Sequence, residues 1–171
     1  HAATRKMKHI LLEKTDHLSD TIYRYQKGKH VMATPVILTL RSPCQFDAGK
    51  REKVLDQWNQ DVAAAGVNVK FNAEVTGISG DDGDFTITLK KGDPVKAKKI
   101  ILSVGLQGNP NLMRCEGGAL PHVQYQLDDP GEYTDEHITV IGGGDAGIEN
   151  AMGLIADAGQ NNTLTLLNRG A

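Results

Sequence analysis

Three features of the sequence predict an α/β fold. Short apolar runs bounded by turn residues, at 10–12, 67–71, 100–102, 138–141 and 164–167, read as strands. Residues 50–65 carry an apolar stripe at helical spacing. Residues 138–167 then set a strand, a glycine-rich turn, a helix and a second strand in direct succession, the order of a parallel βαβ unit.

Composition allows this and excludes several alternatives. The 171 residues are 39% hydrophobic and 23% charged, with 19 glycines and a formal net charge of -2. These values belong to an ordinary globular chain and rule out collagen-like and disordered polymers. A chain of this length buries roughly 70% of its unfolded surface and needs no metal or disulfide staple. The weak acidity offers no basic stripe to a phosphate backbone, so no nucleic-acid partner is expected. No apolar run approaches the roughly 18 residues of a membrane helix, and no membrane partner is expected. The basic start, residues 1–14, holds only Ile10-Leu11-Leu12 as an apolar stretch, too short for a signal peptide. Two cysteines, Cys44 and Cys115, lie far apart without a CxxC and read as free thiols of a reducing compartment, with a cytoplasmic location expected.

Each element follows from local pattern. Residues 1–8, with Arg5, Lys6 and Lys8 after two alanines, read as the tail of a helix, where cations suit the exposed carbonyls. Ile10-Leu11-Leu12 is a short strand ending at Glu13. Residues 14–49 resist assignment, with Pro35 and Pro43 flanking Val36-Ile37-Leu38. In 50–65, Val54, Leu55, Trp58, Val62 and Ala65 form the helical stripe, and Gly66 stands where the helix stops. Residues 67–71, 74–78 and 85–89 alternate as half-buried strands of a β-meander. Asp81-Asp82-Gly83-Asp84 lacks the long loop and terminal Glu of a calcium site and reads as a hairpin turn; Lys91-Gly92-Asp93-Pro94 is a second turn. The six histidines show no paired metal spacing, and no metal is expected. Ile100-Ile101-Leu102 reads as a strand covered on both faces. Residues 105–137, rich in glycine and proline, look like a connection between domains. Beyond it come a strand at 138–141, a helix from Ile148 to Ala158 ended by Gly159 and the amides after it, and a strand at 164–167.

The strongest constellation is Gly142-x-Gly144-x-x-Gly147, followed by Asp145 and Ala146 within the turn. A strand precedes it, a helix starts inside it and a second strand closes a unit of about thirty residues, the context of a dinucleotide-binding fingerprint. Gly142 permits the sharp turn, Gly144 lets the backbone approach a pyrophosphate, and Gly147 lets helix and strand pack closely. The N–H groups of the helix start then face the anion. At the end of the second strand, where a carboxylate would accept from a ribose 2′-hydroxyl, stand Asn168 and Arg169. Asn168 does not repel a 2′-phosphate and Arg169 can pair with one, which favours NADPH over NADH.

The two halves of the chain repeat one pattern. Leu11-Leu12-Glu13-Lys14 aligns with Leu166-Leu167-Asn168-Arg169. Gly142 lies 26 residues before Asn168, and the same count back from Glu13 runs past His1. A first glycine loop is therefore expected upstream of His1, with Glu13 as the carboxylate that holds a ribose.

These residues, with Glu74-Val75, Ile100-Ile101-Leu102-Ser103-Val104-Gly105 and Val140-Ile141-Gly142-Gly143-Gly144-Asp145, resemble the pyridine nucleotide-disulfide oxidoreductase family. These are FAD-dependent flavoproteins with two Rossmann-like dinucleotide-binding domains, and the closest likeness is to the thioredoxin-reductase-like branch. The resemblance implies a partial FAD-binding domain at 1–104 that includes the meander, a connection at 105–137, and the first βαβ unit of an NAD(P)H-binding domain at 138–171. It implies FAD ribose at Glu13, adenine against the Val75 backbone and the FAD pyrophosphate region near Gly105. His17, Asp20 and Tyr125 would lie near the flavin by the same analogy. The chain departs from that branch where a redox CxxC is usual: it reads Gln124-Tyr125-Gln126-Leu127-Asp128-Asp129. A dithiol relay needs two neighbouring thiols, so thioredoxin reduction by that route is excluded. The pattern is more like bacillithiol-disulfide-type reductases and the thioredoxin-reductase-like ferredoxin–NADP reductases.

The expected function is an FAD-dependent NAD(P)H oxidoreductase passing hydride from nicotinamide to flavin and electrons to an unidentified acceptor, with NADP as the expected pyridine nucleotide, NAD as a possible one, and a homodimer as the family analogy. The chain itself is expected to be a fragment, inactive alone. No catalytic acid, base or nucleophile is nominated, since the cofactors carry such chemistry. A non-enzymatic dinucleotide sensor and a structural α/β module remain the alternatives.

Overall fold

The computed structural model describes residues 1–33, 44, 46–105 and 110–170. Pro35, Val36-Ile37-Leu38 and Pro43 lie outside the described residues. The elements in chain order are β1 (Leu11–Leu12), α1 (Asp20–Tyr23), β2 (His30–Val31), β3 (Gly49–Lys50), α2 (Arg51–Ala64), β4 (Val69–Lys70), β5 (Val75–Asp81), β6 (Asp84–Leu89), β7 (Val95–Ala97), β8 (His137–Ile141), α3 (Asp145–Leu154) and β9 (Thr163–Leu167). Two compact units form: His1–Tyr23, Met32–Gly49 and Lys53–Gln107 make the first, and Arg24–Val31, Lys50–Glu52 and Gly108–Ala171 the second. No helix among the described residues is long and apolar enough to cross a membrane, and no disulfide links Cys44 to Cys115.

In the first unit, residues 1–7 make one helical turn and its termination. Arg5 N–H donates to His1 O at 3.2 Å, Met7 N–H to Ala2 O at 3.0 Å and Lys6 N–H to Ala3 O at 2.8 Å, with Lys6 at φ 54°. This 6→1 and 5→2 pair is the closing motif of a helix. The expected helical tail is thus present as its last turn. The same motif ends α2: Val67 N–H reaches Val62 O at 3.2 Å and Gly66 N–H reaches Ala63 O at 3.0 Å. The predicted stripe of α2 buries Val54 and Leu55, while Trp58, tilted against Phe46 at 5.5 Å, Val62 and Ala65 are half-buried.

β1 and β4 pair in parallel, Leu11 with Val69 and Leu12 with Lys70. Asn68 fastens the start of this ladder, its N–H donating to His9 Nε2 at 3.0 Å and its amide to His9 O at 3.1 Å. The strand read at 67–71 is therefore shorter than expected. Its ends are occupied otherwise, Val67 by the cap of α2 and Asn72 by a turn at φ 53°.

The meander is antiparallel, in the order β5-β6-β7. Asp81 pairs with Asp84, which leaves Asp82-Gly83 as the hairpin turn the sequence predicts. Alternation sends Ile87 and Leu89 inward with Ala73, and Leu12, Phe85, Val95, Ala97 and Ile100 pack around them. β7 was not foreseen. Three residues after Pro94 carry too short a pattern to read, yet Ile87 pairs with Val95 and Phe85 with Ala97.

One expected strand is corrected. Ile100-Ile101-Leu102 is not a strand: Ile101 is 89% exposed, Leu102 70% and Val104 86%. A strand exists only through a paired neighbour, and no described segment hydrogen-bonds to this run as one.

In the second unit, β8 and β9 pair in parallel from His137 with Thr163 to Ile141 with Leu167. Ala151 and Leu154 on α3 are buried, and Ile138 and Val140 turn toward the interior. Lys29 holds Glu149 of α3 at 2.6 Å. The helix expected at 148–158 instead spans Asp145–Leu154. It starts earlier because Ile148 N–H already bonds Gly144 O at 3.0 Å. It ends earlier because Asn162 Nδ2 donates to Leu154 O at 3.0 Å, and the Asp157 carboxylate takes Gly159 N–H at 2.8 Å to begin a separate turn.

Candidate functional site

The glycine turn lies between β8 and α3. Gly142 has φ 120°, a conformation that L side chains rarely adopt, and its N–H donates to Leu167 O at 2.8 Å, tying the turn to the end of β9. Gly147 sits against that same turn. A Cβ on Gly147 would stand 2.0 Å from Gly142 O and 3.0 Å from its carbonyl carbon. Only glycine allows α3 to start this close to β8.

Gly144 caps α3 with extended backbone, and no side chain supplies the cap hydrogen bond. The first bond of the helix belongs to Ile148 N–H, so the N–H groups of Asp145, Ala146 and Gly147 find no acceptor among the described residues. A Cβ on Gly144 would meet nothing within 4 Å. Open space thus stands over a row of unpaired donors at the positive end of a helix, the chemistry that suits an anion such as a pyrophosphate. Asn168 follows β9 directly, with its side chain over Gly143. A Cβ on Gly143 would lie 2.9 Å from Asn168 Cγ. Asn168 Oδ1 accepts from Arg169 N–H at 2.9 Å, and Nδ2 donates to Gly170 O at 3.3 Å. Gly142, Gly144, Asp145, Ala146, Gly147, Asn168 and Arg169 therefore gather around one turn.

The remaining candidates, Tyr125 apart, lie in the first unit. Glu13 ends β1. Its N–H donates to Lys70 O at 3.0 Å and its carbonyl accepts at 2.8 Å from the N–H of Ala73, which stands two residues before Val75 at the head of β5. Glu13 Oε1 accepts from Thr15 N–H at 3.0 Å, and Thr15 Oγ1, whose one hydrogen is shared with His17 O, lies 3.2 Å from the same oxygen. The carboxylate is held by its own turn, and Oε2 has no partner among the described residues. That oxygen is free to accept from a ribose hydroxyl. Gly105, at φ 66°, lies beside α1, where a Cβ would stand 3.8 Å from Thr21 Oγ1.

Thr15 continues the chain of contacts, its hydroxyl donating to His17 O at 2.8 Å. The His17 ring bonds Asp16 through Nδ1 at 2.7 Å and Asp20 through Nε2 at 3.0 Å, and stacks on Tyr23 at 3.7 Å. Burial opposes the charged ring, but its hydrogen bonds to the Asp16 and Asp20 carboxylates outweigh it and hold the His17 pKa above its ordinary value. Tyr125 belongs to the second unit, where its hydroxyl takes Met113 N–H at 2.8 Å and donates to Gly118 O at 2.9 Å. Sequence reasoning missed Thr15 and Gly143. A threonine two residues after a strand-end Glu carries no distinctive signal, and the fingerprint leaves its second position open.

Comparison with known proteins agrees with this architecture. The family described as pyridine nucleotide-disulphide oxidoreductase matches residues 1–171. A protein named ferredoxin–NADP reductase from Acidiphilium cryptum is 38% identical over 85 residues, which are 47% of this chain and 25% of that protein. Among solved structures, the bacillithiol disulfide reductase Bdr of Staphylococcus aureus superposes with a TM-score of 0.80 at 24% identity, over 99% of this chain and 53% of that one. The thioredoxin reductase of Lactococcus lactis superposes at 0.66 and 18% identity, over 98% of this chain and 50% of that one. The chain thus spans about half the length of these solved structures. With the family matched from end to end, the chain belongs to the pyridine nucleotide-disulphide oxidoreductases, and its mixed α/β fold is theirs.

Proposed function

We propose that this protein works as an FAD-dependent NAD(P)H oxidoreductase, in which hydride passes from the nicotinamide to the flavin and electrons pass on to an acceptor. The observation that carries this reading is the row of unpaired N–H groups at Asp145, Ala146 and Gly147 beneath the open face of Gly144. It would hold the pyrophosphate of the pyridine nucleotide. Asn168 and Arg169 stand where an acid would read the 2′-hydroxyl, which supports NADP over NAD. In the first unit Glu13 would take the FAD ribose, with Val75 beside the adenine and Gly105 near the FAD pyrophosphate. FAD supplies the redox chemistry when bound, and the chain's own part is to position and orient it.

The domain reading goes with this one: an FAD-binding part at 1–104, a connection at 105–137 and an NADP-binding unit from 138. For the acceptor, the name of the Acidiphilium relative points to ferredoxin. The stretch from Gln124 to Asp129 holds no thiol pair, which argues against a dithiol relay at that place. The test is colour. The full-length protein to which this chain belongs, purified with FAD, should be yellow and should bleach on anaerobic addition of NADPH. A colourless protein that still binds NADPH would favour a sensor, and a protein that binds neither would leave only a structural module.

A further inference from the structure

Ser19, at the turn that starts α1, stands at φ 60°, a left-handed conformation disfavoured by its Cβ. Two contacts close that turn. Tyr23 N–H donates to Ser19 O at 2.9 Å, and His17 Nε2 reaches across Ser19 to Asp20 Oδ1 at 3.0 Å. The other ring nitrogen, Nδ1, faces Asp16 Oδ1 at 2.7 Å, and the ring stacks on Tyr23. Asp16 and Asp20 are the charged groups that bear on the ring, and Tyr23 is the other titratable group against it. Both ring nitrogens thus face ionised carboxylates, which only accept. An imidazolium donates to both at once. A neutral imidazole keeps one N–H, loses the charge that strengthens its bond, and turns a lone pair on the second carboxylate. The next residue of α1, Thr21, is the neighbour of Gly105: a Cβ on that glycine would stand 3.8 Å from Thr21 Oγ1. The Ser19 turn and the Gly105 turn therefore meet through α1.

We propose that His17 is a proton-operated clasp: the charged ring holds the strained Ser19 turn closed, seats α1 against the Gly105 turn, and so makes flavin retention depend on pH. The proposal rests on the reading of Gly105 as the FAD pyrophosphate region and adds a control to it. The sign follows from the charge. Retention is full while the ring carries both protons, and it falls as pH rises through the folded value, which the two carboxylates raise. Linkage is reciprocal, so bound FAD must in turn hold the second proton on His17 more tightly.

The test uses the full-length protein to which this chain belongs and measures its FAD dissociation constant by flavin fluorescence. The range runs from about pH 6 to about pH 9, at a temperature below the thermal midpoint throughout. In wild type the constant should rise about 10-fold across that range. The His17 ring, followed by NMR, should then titrate about one pH unit higher with FAD bound than without it. In H17Q the constant should not move with pH. In S19G glycine holds the turn unaided, so retention at about pH 9 should match that of wild type at about pH 6. A wild-type constant that does not change with pH, an equal rise in H17Q, or an equal rise in S19G would overturn the clasp while leaving the flavin site standing. A wild-type protein that binds no FAD at any pH would overturn the site reading, and this proposal with it.

Discussion

Gly147 and Gly142 touch across the start of α3, with the position of a Cβ on Gly147 only 2.0 Å from Gly142 O. The contact is backbone against backbone, so no rotamer change relieves it. Gly147→Ala should therefore push α3 off β8 and cost about 2–3 kcal/mol, the range of an overpacked core. Urea unfolding followed by circular dichroism checks this; an unchanged midpoint would mean that the turn has room the geometry denies.

Asn162 ties three segments together. Its Oδ1 accepts from Glu136 N–H at 3.1 Å, and its Nδ2 donates to Tyr133 O at 2.9 Å and Leu154 O at 3.0 Å. Asn162→Ala removes an amide and leaves a helix-end carbonyl without its partner, at a cost of about 2 kcal/mol. Asn162→Asp keeps the acceptor but sets a carboxylate oxygen against the Tyr133 and Leu154 carbonyls, and should cost at least as much as Asn162→Ala. The ordering of the two variants in denaturant midpoint is the measurement.

Glu13 separates structural from binding roles by its two oxygens. Thr15→Val removes the bond from the hydroxyl and leaves Oε2 untouched, so flavin retention should hold while stability drops by about 1 kcal/mol. Glu13→Gln should weaken FAD binding about 10-fold, by replacing one carboxylate acceptor with an amide donor. Flavin release on dilution, followed by fluorescence, reads both.

The His17 contacts give a pH dependence of fixed sign. The folded ring has its pKa raised above 6.5 by Asp16 and Asp20. Its contribution to stability is fully present below the unfolded value and is lost as pH rises through the folded one. Thermal midpoints should fall in wild type as pH rises above about 6.5 and through the raised folded value. His17→Gln should flatten that slope, and an equal slope in both proteins would contradict the assignment. NMR titration of the ring should move toward the ordinary value in Asp16→Asn and Asp20→Asn.

How much of this was legible in the sequence depends on how local the physics is. Phe85, Ile87 and Leu89 alternate at period two, and their meander reads directly. Gly66 names the end of α2 because its backbone motif needs only six consecutive residues. The turn from Gly142 to Gly147 was legible as a pattern, since each glycine has a distinct reason. Ile100-Ile101-Leu102 misled because an apolar run reports demand for a strand partner and not its presence. The end of α3 was misplaced because Asn162, eight residues beyond Leu154, supplies the bond that closes the helix. The engagement of Glu13 by Thr15, and of Gly143 by Asn168, depends on side-chain direction, which composition and spacing do not encode.

The central claim is that the helix-start donors under Gly144 hold the nucleotide that reduces the flavin, and one change addresses it directly. A Cβ on Gly144 meets nothing in the protein and the backbone there is ordinary, so Gly144→Ala should keep its thermal stability to within about 1 kcal/mol. The methyl group would nonetheless occupy the space of the pyrophosphate. Anaerobic mixing of the FAD-loaded protein with subsaturating NADPH should bleach the flavin in wild type and do so at least 10-fold more slowly in Gly144→Ala. Equal bleaching rates in two equally stable proteins would contradict the account.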